Sequence, residues 1–462
     1  MPGLTDLSCF KAYDIRGKVP RDIDTRVAYA LGVAMAGQGA RKIVVGHDAR
    51  LSGPSLANAL VSGFVAGGGE ADDLGMCGTE EIYFAASRYP YDMGIMVTGS
   101  HNPADENGFK LVRARAVPVS GDSGLKELKS AVAEILPTLG DDCSGLAGSA
   151  RSVSYREEYL QWLGSYFAPI PGERHRLSVV ADAGNGCAGL VLQYLAARLP
   201  VDFTLRQMEP DGNFPNGVPN PLLPERRAGT SQAVVAARAD MGLAWDGDFD
   251  RCFFYDSTGQ FVEGYYLVGL LAQAMLARHP GGRIVHDPRV YWNTRDMVME
   301  AGGVPVMGKT GHAFMKERMR AEDAIYGGEM SAHHYFRDFA YCDSGMLPWL
   351  LVTGLLCESG KSLGEMLQER MRRFPCSGEI NRRVTDAPRL LEMVRQRYAP
   401  QALHEDRLDG INLEFAEWRF NVRMSNTEPL LRLNVESRGN KGLVEDKTAE
   451  ILEMIDRGQA VY

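Results

Sequence analysis

A short loop presents a serine in a setting suited to accept a phosphoryl group. The segment Thr98-Gly99-Ser100-His101-Asn102-Pro103 follows an apolar run over residues 94–97. Gly99 permits a sharp turn and Asn102-Pro103 closes it, so Ser100 is expected at an exposed loop tip. Ser100 and His101 are expected to point different ways, which disfavours a Ser–His dyad, and the GxSxG elbow of hydrolases is absent. The alternative is a turn without function.

A lysine downstream is placed to serve the same loop. Lys110 comes after Asn107-Gly108, where the sequence predicts a turn. A hairpin there would return the Lys110 ammonium group beside Ser100. This role depends on the loop being functional.

A second loop gathers carboxylates. Asp246, Asp248 and Asp250 stand at i, i+2 and i+4, which places them on one side of an extended chain. Like charges at such spacing repel one another unless a cation lies among them, and hard oxygen ligands suit Mg²⁺. An EF-hand is excluded, because its glycine and glutamate positions are Arg251 and Ser257 here. The sequence predicts a magnesium site, with a solvated acidic turn as the alternative.

A third loop, over residues 327–334, combines a carboxylate, a hydroxyl and two imidazoles. Glu329 and Ser331 can bind neighbouring sugar hydroxyls, and His333 and His334 add switchable donors. Zinc is the rival ligand, but adjacent histidines chelate poorly and the HExxH spacing is absent. A lesser signal is His312, which follows the apolar run at residues 304–307.

A fourth loop supplies donors for a phosphate group. Arg423, Ser425, Asn426 and Thr427 lie within five residues between two apolar runs. Neither GxxxxGK[ST] nor GxGxxG occurs, so a nucleotide site is not supported. The alternative is a polar β-turn.

Composition limits the partners. The chain has 462 residues, a formal charge of −9, 45% hydrophobic and 24% charged residues. An acidic globular protein of this kind is a poor partner for nucleic acid or anionic membrane, and no stretch of about 18 apolar residues occurs. The eight cysteines form no CxxC pair, which predicts reduced thiols. We expect a cytoplasmic protein with a small-molecule substrate, no nucleic-acid partner and no membrane partner.

Three segments share the pattern that must position these loops. Each is an apolar run that ends on an aspartate and precedes a helical stretch, as in βα units of a parallel sheet; they lie at 41–48, 177–186 and 283–289. Their spacing predicts three related α/β domains, with one large sheet as the alternative. Past residue 367 the pattern indicates an α+β domain. The predicted domains are 1–148, 149–252, 253–366 and 367–462, with a linker over 137–149.

The four loops together resemble the α-D-phosphohexomutase superfamily, and within it the bacterial phosphomannomutase branch. TGSHNP, DGDFDR, GEMSAHH and RMSNTEP occur in the order typical of the family, and the resemblance covers essentially the whole chain. It implies three α/β domains with mixed sheets, a C-terminal α+β domain, and an active site in the central cleft. It also implies a monomer or homodimer.

The resemblance implies roles for individual residues. Ser100 would carry the phosphoryl group and, with the three aspartates, hold Mg²⁺. Lys110, or less favourably His101, would be the general acid/base, while Arg251 would neutralise charge and Arg16 would assist at the phosphoserine. The implied substrate-binding residues are Glu329, Ser331, His333, His312, Arg289, Arg423, Ser425, Asn426 and Thr427. Arg289 stands where the family often has lysine, so its ligand contact is the least secure.

The implied reaction interconverts mannose 6-phosphate and mannose 1-phosphate through a hexose 1,6-bisphosphate, which also serves as activator. GDP-mannose synthesis is the implied context. A dual phosphomannomutase/phosphoglucomutase is the nearest alternative, because mannose and glucose differ only at C2. A phosphoglucosamine mutase is disfavoured by Met330, where that branch usually has Gln. A Mg²⁺-dependent phosphatase using Ser100 and a non-catalytic sugar-phosphate binder are more distant alternatives.

Overall fold

The computed structural model describes residues 7–140, 143, 149–167, 176–425 and 429–459. They divide into two compact units. The first unit is Met1–Phe261 with Tyr335–Ser359, and the second unit is Val262–His334 with Gly360–Tyr462. The domain boundaries at 148, 252 and 366 stay predictions.

The first sheet of the first unit has the strand order β1-β5-β4-β2-β3-β7, with β6 beside β5. Its strands are β1 (Ile15–Lys18), β2 (Lys42–His47), β3 (Glu70–Met76), β4 (Met93–Val97), β5 (Glu106–Arg113), β6 (Val117–Pro118) and β7 (Arg151–Ser152). The central strands β3, β2 and β4 are parallel, whereas β5 is antiparallel to β4 and β1. The sheet is therefore mixed.

Four helices accompany this sheet. They are α1 (Thr25–Gly37), α2 (Gly53–Ala66), α3 (Thr79–Arg88) and α4 (Lys126–Ile135). The Asp24 side chain caps α1 by accepting from the Arg26 and Val27 amides. Helices α1 and α2 approach closely because Gly63 has no side chain. A Cβ there would lie 2.0 Å from the Tyr29 carbonyl oxygen. This packing holds β2 and the loop that follows it.

The second sheet of the first unit has the order β12-β11-β10-β8-β9. The elements of this region are α5 (Arg156–Gly164), β8 (Ser178–Asp182), α6 (Gly189–Ala196), β9 (Asp202–Arg206), α7 (Ala228–Ala237), β10 (Met241–Trp245), β11 (Cys252–Tyr255) and β12 (Phe261–Val262). Strands β9, β8 and β10 are parallel, and β11 runs antiparallel to β10. The acidic loop is the connection from β10 to β11.

The second unit begins with a parallel set of strands in the order β14-β13-β15. Its elements are α8 (Gly264–Arg278), β13 (Arg283–His286), α9 (Trp292–Glu300), β14 (Val304–Met307), α10 (His312–Glu322) and β15 (Tyr326–Gly328). The chain continues through β16 (His334–Phe336), β17 (Cys342–Asp343) and α11 (Leu347–Ser359), which from Tyr335 onward belong to the first unit, and then through α12 (Leu363–Arg373) of the second unit. Strands β16 and β17 are antiparallel.

The last sheet is antiparallel throughout, in the order β18-β22-β21-β20-β19. Its elements are β18 (Ile380–Arg383), α13 (Ala387–Tyr398), β19 (His404–Asp406), β20 (Ile411–Glu414), β21 (Trp418–Met424), β22 (Leu430–Ser437) and α14 (Lys441–Gln459). Apolar residues of α13, α14 and the central strands form one core. The α+β prediction is confirmed.

The strands form separate sheets, so the alternative of one large sheet is wrong. Each of the three βα segments forms a buried parallel strand followed by a helix, as predicted. The turn predicted at Asn107-Gly108 is also wrong, because both residues lie inside β5. Gly108 is required there by packing, since a Cβ would lie 1.9 Å from the Ile15 carbonyl oxygen on β1. All eight cysteines carry free thiols.

Within the described ranges, no helix has both the length and the apolar character needed to cross a membrane.

Candidate active site

The Ser100 loop connects β4 to β5, which pair as a hairpin. Ser100 has φ of 48° and is only 2% exposed. The predicted exposed loop tip is therefore wrong. The reason is a second loop packed against it, since a Cβ at Gly247 would lie 2.6 Å from the Ser100 carbonyl oxygen. The serine is buried between two loops of the first unit.

Two side chains contact the Ser100 hydroxyl. Ser100 Oγ donates to Asp246 Oδ2 at 2.9 Å and lies 3.1 Å from His101 Nδ1. The expectation that Ser100 and His101 point different ways is wrong. The left-handed backbone at Ser100 turns both side chains toward one side. The hydroxyl therefore sits between a carboxylate and an imidazole.

The aspartate loop is a tight turn rather than an extended chain. Phe249 has φ of 49°, so the backbone folds back between Asp248 and Asp250. The carboxylates of Asp246, Asp248 and Asp250 nevertheless converge, with one ligand atom from each within 4.8 Å of the others, and all three are buried. The convergence was predicted, and its cause is the turn.

Two cations meet these carboxylates. Arg251 donates from Nε and Nη2 to Asp246 Oδ2 at 2.9 and 2.6 Å, and its Nη2 contacts His101 Nδ1. Lys110 Nζ donates to Asp248 Oδ2 at 2.6 Å and to Asp250 Oδ2. The hairpin that positions Lys110 turns at the Ser100 loop and not at Asn107-Gly108, and it pairs Lys110 with Met96.

Burial and charge shift the protonation of this cluster. Burial raises the pKa of Asp246 to about 7, although the Arg251 guanidinium opposes the shift. Burial lowers the pKa of Lys110, but the Asp248 and Asp250 carboxylates outweigh it and raise the pKa above its ordinary value. Lys110 therefore stays protonated at neutral pH.

The carboxylate cluster fits a divalent cation. Its three ligands are hard oxygens, which suit Mg²⁺. Asp248 Oδ1 is buried and accepts no hydrogen bond from any described residue. A buried carboxylate oxygen in that state gains most from a metal ion.

Arg16 also reaches the serine loop. Its Nη1 donates to the Gly99 carbonyl oxygen at 3.0 Å and lies 3.3 Å from Asn102 Oδ1, and its Nε is paired with Asp14 at 2.6 Å. Thr79, which was not among the predicted site residues, is fully buried and donates to Asp248 Oδ2 at 2.5 Å. Its only sequence signal is its place at the start of α3.

In the second unit, Glu329 connects its own loop to the segment that carries His312. Glu329 Oε1 accepts from the Gly311 amide at 2.8 Å, which places the start of α10 and therefore His312 next to this loop. His333 Nδ1 lies 3.1 Å from Ser331 Oγ and 3.5 Å from Glu329 Oε2. Glu329 is 1% exposed, whereas Ser331, His333 and His312 are partly exposed.

Arginines of the second unit converge on one carboxylate that the sequence analysis missed. Glu379 Oε2 lies 2.6 Å from Arg289 Nη1 and 3.7 Å from Arg423 Nη2, and Glu379 Oε1 lies 2.9 Å from Arg432 Nη1. Burial raises the pKa of Glu379, but the three guanidinium groups outweigh it and lower the pKa to about 2.

Ser425 and Arg289 make further contacts in this cluster of arginines around Glu379. Arg432 Nη2 donates to Ser425 Oγ at 3.4 Å, and Arg432 lies opposite Arg423 in the β21–β22 register. Arg289 is also paired with Asp287 and lies 3.8 Å from Glu329. Asn426 and Thr427 lie outside the described residues.

Four parts of the chain match domain models of one known family. The models for phosphoglucomutase/phosphomannomutase α/β/α domains I, II and III match residues 8–137, 157–259 and 263–374, and the C-terminal domain model matches residues 379–454. The chain belongs to the phosphoglucomutase/phosphomannomutase family.

Individual relatives are similar over nearly their full length. The phosphomannomutase of Salmonella montevideo is 52% identical over 460 residues, covering 98% of this chain and 100% of that protein. A protein of Xanthomonas campestris pv. campestris (strain ATCC 33913), named phosphohexose mutases, is also 52% identical over 97% of this chain and 99% of its own length. A crystal structure of a phosphoglucomutase/phosphomannomutase family protein from Burkholderia thailandensis has a TM-score of 0.85 at 31% identity, and covers 98% of each chain.

Proposed function

We propose that this chain is a phosphomannomutase, which interconverts mannose 6-phosphate and mannose 1-phosphate through phosphorylated Ser100 and a hexose 1,6-bisphosphate. The observation that carries the proposal is the buried Ser100 hydroxyl, 2.9 Å from Asp246 and bordered by Arg251. Relatives that are about half identical and bear the name phosphomannomutase support the reaction.

Phosphoryl transfer is assigned to the first unit. The bond from Ser100 Oγ to phosphorus breaks while a bond from the sugar hydroxyl oxygen to phosphorus forms. The bisphosphate then reorients and returns its other phosphoryl group to Ser100. Positioning and charge neutralisation supply most of the catalysis in such reactions.

Charged side chains of the first unit complete this assignment. Arg251 neutralises charge on the transferred group, and Arg16 steadies the phosphoserine loop. Lys110 exchanges the proton of the sugar hydroxyl, and the carboxylates that raise its pKa against the effect of burial keep it in the protonated form. His101 contacts Ser100 and is the second candidate for that role.

Asp246, Asp248 and Asp250, together with the phosphate on Ser100, would hold Mg²⁺. When bound, the ion supplies positive charge to the phosphoryl oxygens. A hexose 1,6-bisphosphate would act as activator by phosphorylating Ser100.

Substrate binding is assigned to the second unit. Glu329 and Ser331 bind sugar hydroxyls, with His333 and His312 as further donors. Arg423, Ser425, Asn426 and Thr427 bind the phosphate that is not transferred. Arg289 is held by Asp287 and Glu379, and it contributes positive charge to this group. A monomer or homodimer, a cytoplasmic location and a place in GDP-mannose synthesis stay predictions.

A dual-specificity phosphomannomutase/phosphoglucomutase is the second candidate. It is favoured by the Xanthomonas relative, which is named for phosphohexose mutases in general. A Mg²⁺-dependent sugar phosphatase is the distant alternative.

The deciding experiment measures kcat/KM for mannose 1-phosphate and for glucose 1-phosphate, with catalytic glucose 1,6-bisphosphate and Mg²⁺. The proposal expects a preference for mannose 1-phosphate and no release of inorganic phosphate. Comparable values for both sugars would establish dual specificity, and stoichiometric release of phosphate would establish a phosphatase.

A further inference from the structure

One buried arginine grips the backbone of the Ser100 loop. Arg50 is 1% exposed, and its two terminal nitrogens donate to four carbonyl oxygens. Nη1 lies 2.5 and 2.8 Å, and Nη2 lies 2.9 and 2.6 Å, from the carbonyl oxygens of Pro103, Glu106, Ser100 and Asn102, respectively. The guanidinium group therefore fixes three carbonyl groups of the loop, that of Ser100 included, and the first carbonyl group of β5.

A carboxylate and a hydroxyl hold the same loop through its amides. Asp48 Oδ2 accepts from Thr98 Oγ1 at 2.7 Å and from the Gly99 amide at 3.2 Å. Thr98 Oγ1 in turn accepts from the Ser100 amide at 2.7 Å. Asp48 is also the ion-pair partner of Arg50, at 3.3 Å. Both polar groups of the Ser100 backbone are thus fixed.

The loop needs this support because of its shape. Ser100 has φ of 48°, a conformation that L-residues adopt with difficulty. Gly99 lies directly on the guanidinium, since a Cβ there would be 2.5 Å from Arg50 Cζ. Arg50 is held in turn under the Phe214 ring, whose centroid is 5.5 Å from Cζ.

We propose that Arg50, with Asp48 and Thr98, forms a clamp that keeps the Ser100 loop in the left-handed conformation that directs the Ser100 hydroxyl toward Asp246. Arg50 and Thr98 are positioning residues, because their contacts are with the loop backbone and with Asp48. This inference rests on the proposed phosphoryl transfer at Ser100.

The main test is Arg50→Lys in the full-length chain with Mg²⁺ and glucose 1,6-bisphosphate. Lysine keeps the charge but has no planar fork, so it cannot satisfy four carbonyls together. We expect kcat to fall about 100-fold through a displaced nucleophile, with KM within about threefold of wild type. The matched control is Arg26→Lys, because among the described residues Arg26 donates to one carbonyl, that of Leu136. It should retain wild-type kcat.

A second pair of variants decides the matter if Arg50→Lys does not fold. Thr98→Val keeps the shape but removes the hydroxyl between Asp48 and the Ser100 amide, and we expect about a tenfold fall in kcat. Thr98→Ser restores the hydroxyl and should restore kcat. Wild-type kcat in folded Arg50→Lys or Thr98→Val, or a loss that appears in KM instead, would overturn the clamp.

Phosphorylation of the protein separates this inference from the proposed function. Intact mass after incubation with glucose 1,6-bisphosphate reports the phosphoryl group on Ser100 without any mutase turnover. The clamp predicts slower phosphorylation of Arg50→Lys than of wild type. Failure of wild type to become phosphorylated would reject the proposed function itself, whereas equal rates in both proteins would reject only the clamp.

Discussion

Charged groups are arranged differently in the two units. In the first unit, three carboxylates meet two cations; the carboxylates are Asp246, Asp248 and Asp250, and the cations are Lys110 and Arg251. In the second unit, one carboxylate, Glu379, is shared by three guanidinium groups, those of Arg289, Arg423 and Arg432. The first arrangement suits an added cation, and the second suits an added anion.

The polar side chains of the two candidate sites also differ in burial. The hydroxyl proposed to carry the phosphoryl group, that of Ser100 in the first unit, is 2% exposed and is fixed by its neighbours. In the second unit Ser331, His333 and Ser425 are partly exposed. Group transfer requires fixed geometry, whereas a substrate that reorients between two transfers requires donors that it can reach in two orientations. Changes in the first unit should therefore lower kcat, and changes in the second should raise KM.

The largest effect should follow removal of the nucleophile. Ser100→Ala should lower kcat by at least about 10⁴-fold, because no oxygen remains to carry the phosphoryl group. The coupled mannose 1-phosphate assay measures this loss. Ser130→Ala, which removes an exposed hydroxyl from α4, is the control and should retain full activity. Full activity in Ser100→Ala would contradict the proposal that a side chain of the first unit carries the phosphoryl group.

Asp248→Asn tests whether the excess of carboxylates over cations in the first unit serves to bind a metal ion. Loss of one negative charge should weaken Mg²⁺ binding and lower kcat about 100- to 1000-fold. A Mg²⁺ titration followed by thermal unfolding measures the binding without turnover, and chelation should abolish activity of the wild type. Asp122→Asn alters a side chain that is 79% exposed and should change neither quantity. An unchanged metal titration in Asp248→Asn would contradict the assignment.

Arg432→Gln tests the second unit. Removal of one of the three guanidinium groups around Glu379 should raise KM for mannose 1-phosphate about tenfold, with kcat within about threefold. Steady-state kinetics at several substrate concentrations separate the two constants. The control is Arg457→Gln, an exposed arginine on α14. A fall in kcat with unchanged KM would break the contrast between the units.

The two units should also differ in their stability in acid. Burial lowers the pKa of His334 to about 3 and that of His286 to about 4, both in the second unit. Their ordinary value is 6.5, so the unfolded chain binds these protons first, and the second unit loses stability as pH falls below 6.5. Burial raises the pKa of Asp48 in the first unit, which has the opposite sign: its contribution is largest in acid and is lost as pH rises.

Hydrogen exchange resolved by region measures this difference between pH 6.5 and 4. Each buried histidine should contribute a slope of about 1.4 kcal/mol per pH unit, and His334→Asn should remove one such contribution from the second unit. His404→Asn is the exposed control. Equal acid sensitivity of both units, or an unchanged slope in His334→Asn, would contradict the expectation.

Local pattern was enough for much of the fold. The apolar runs at 41–48, 177–186 and 283–289 contain the strands β2, β8 and β13, because buried strand patterns depend on near neighbours. The errors lie where distant chain segments meet. The Asn107-Gly108 pair reads as a turn, yet contact with β1 holds it in a strand.

The residue types of the candidate site were likewise apparent in the sequence: Ser100, the three aspartates and Glu329 stand in short polar loops, and Arg423 stands near the end of β21. Tertiary structure alone decided which of them meet. Ser100 and Asp246 are 146 positions apart, and the left-handed backbone that joins them is maintained by Arg50, a residue with no motif of its own. Glu379 belongs to the candidate site of the second unit only because the fold brings three arginines, which are distant from it in the chain, to its carboxylate. The sequence by itself therefore determined which chemistry was available, since that depends on side-chain type. The fold decided burial, partners and pKa, since these depend on residues far apart in the chain.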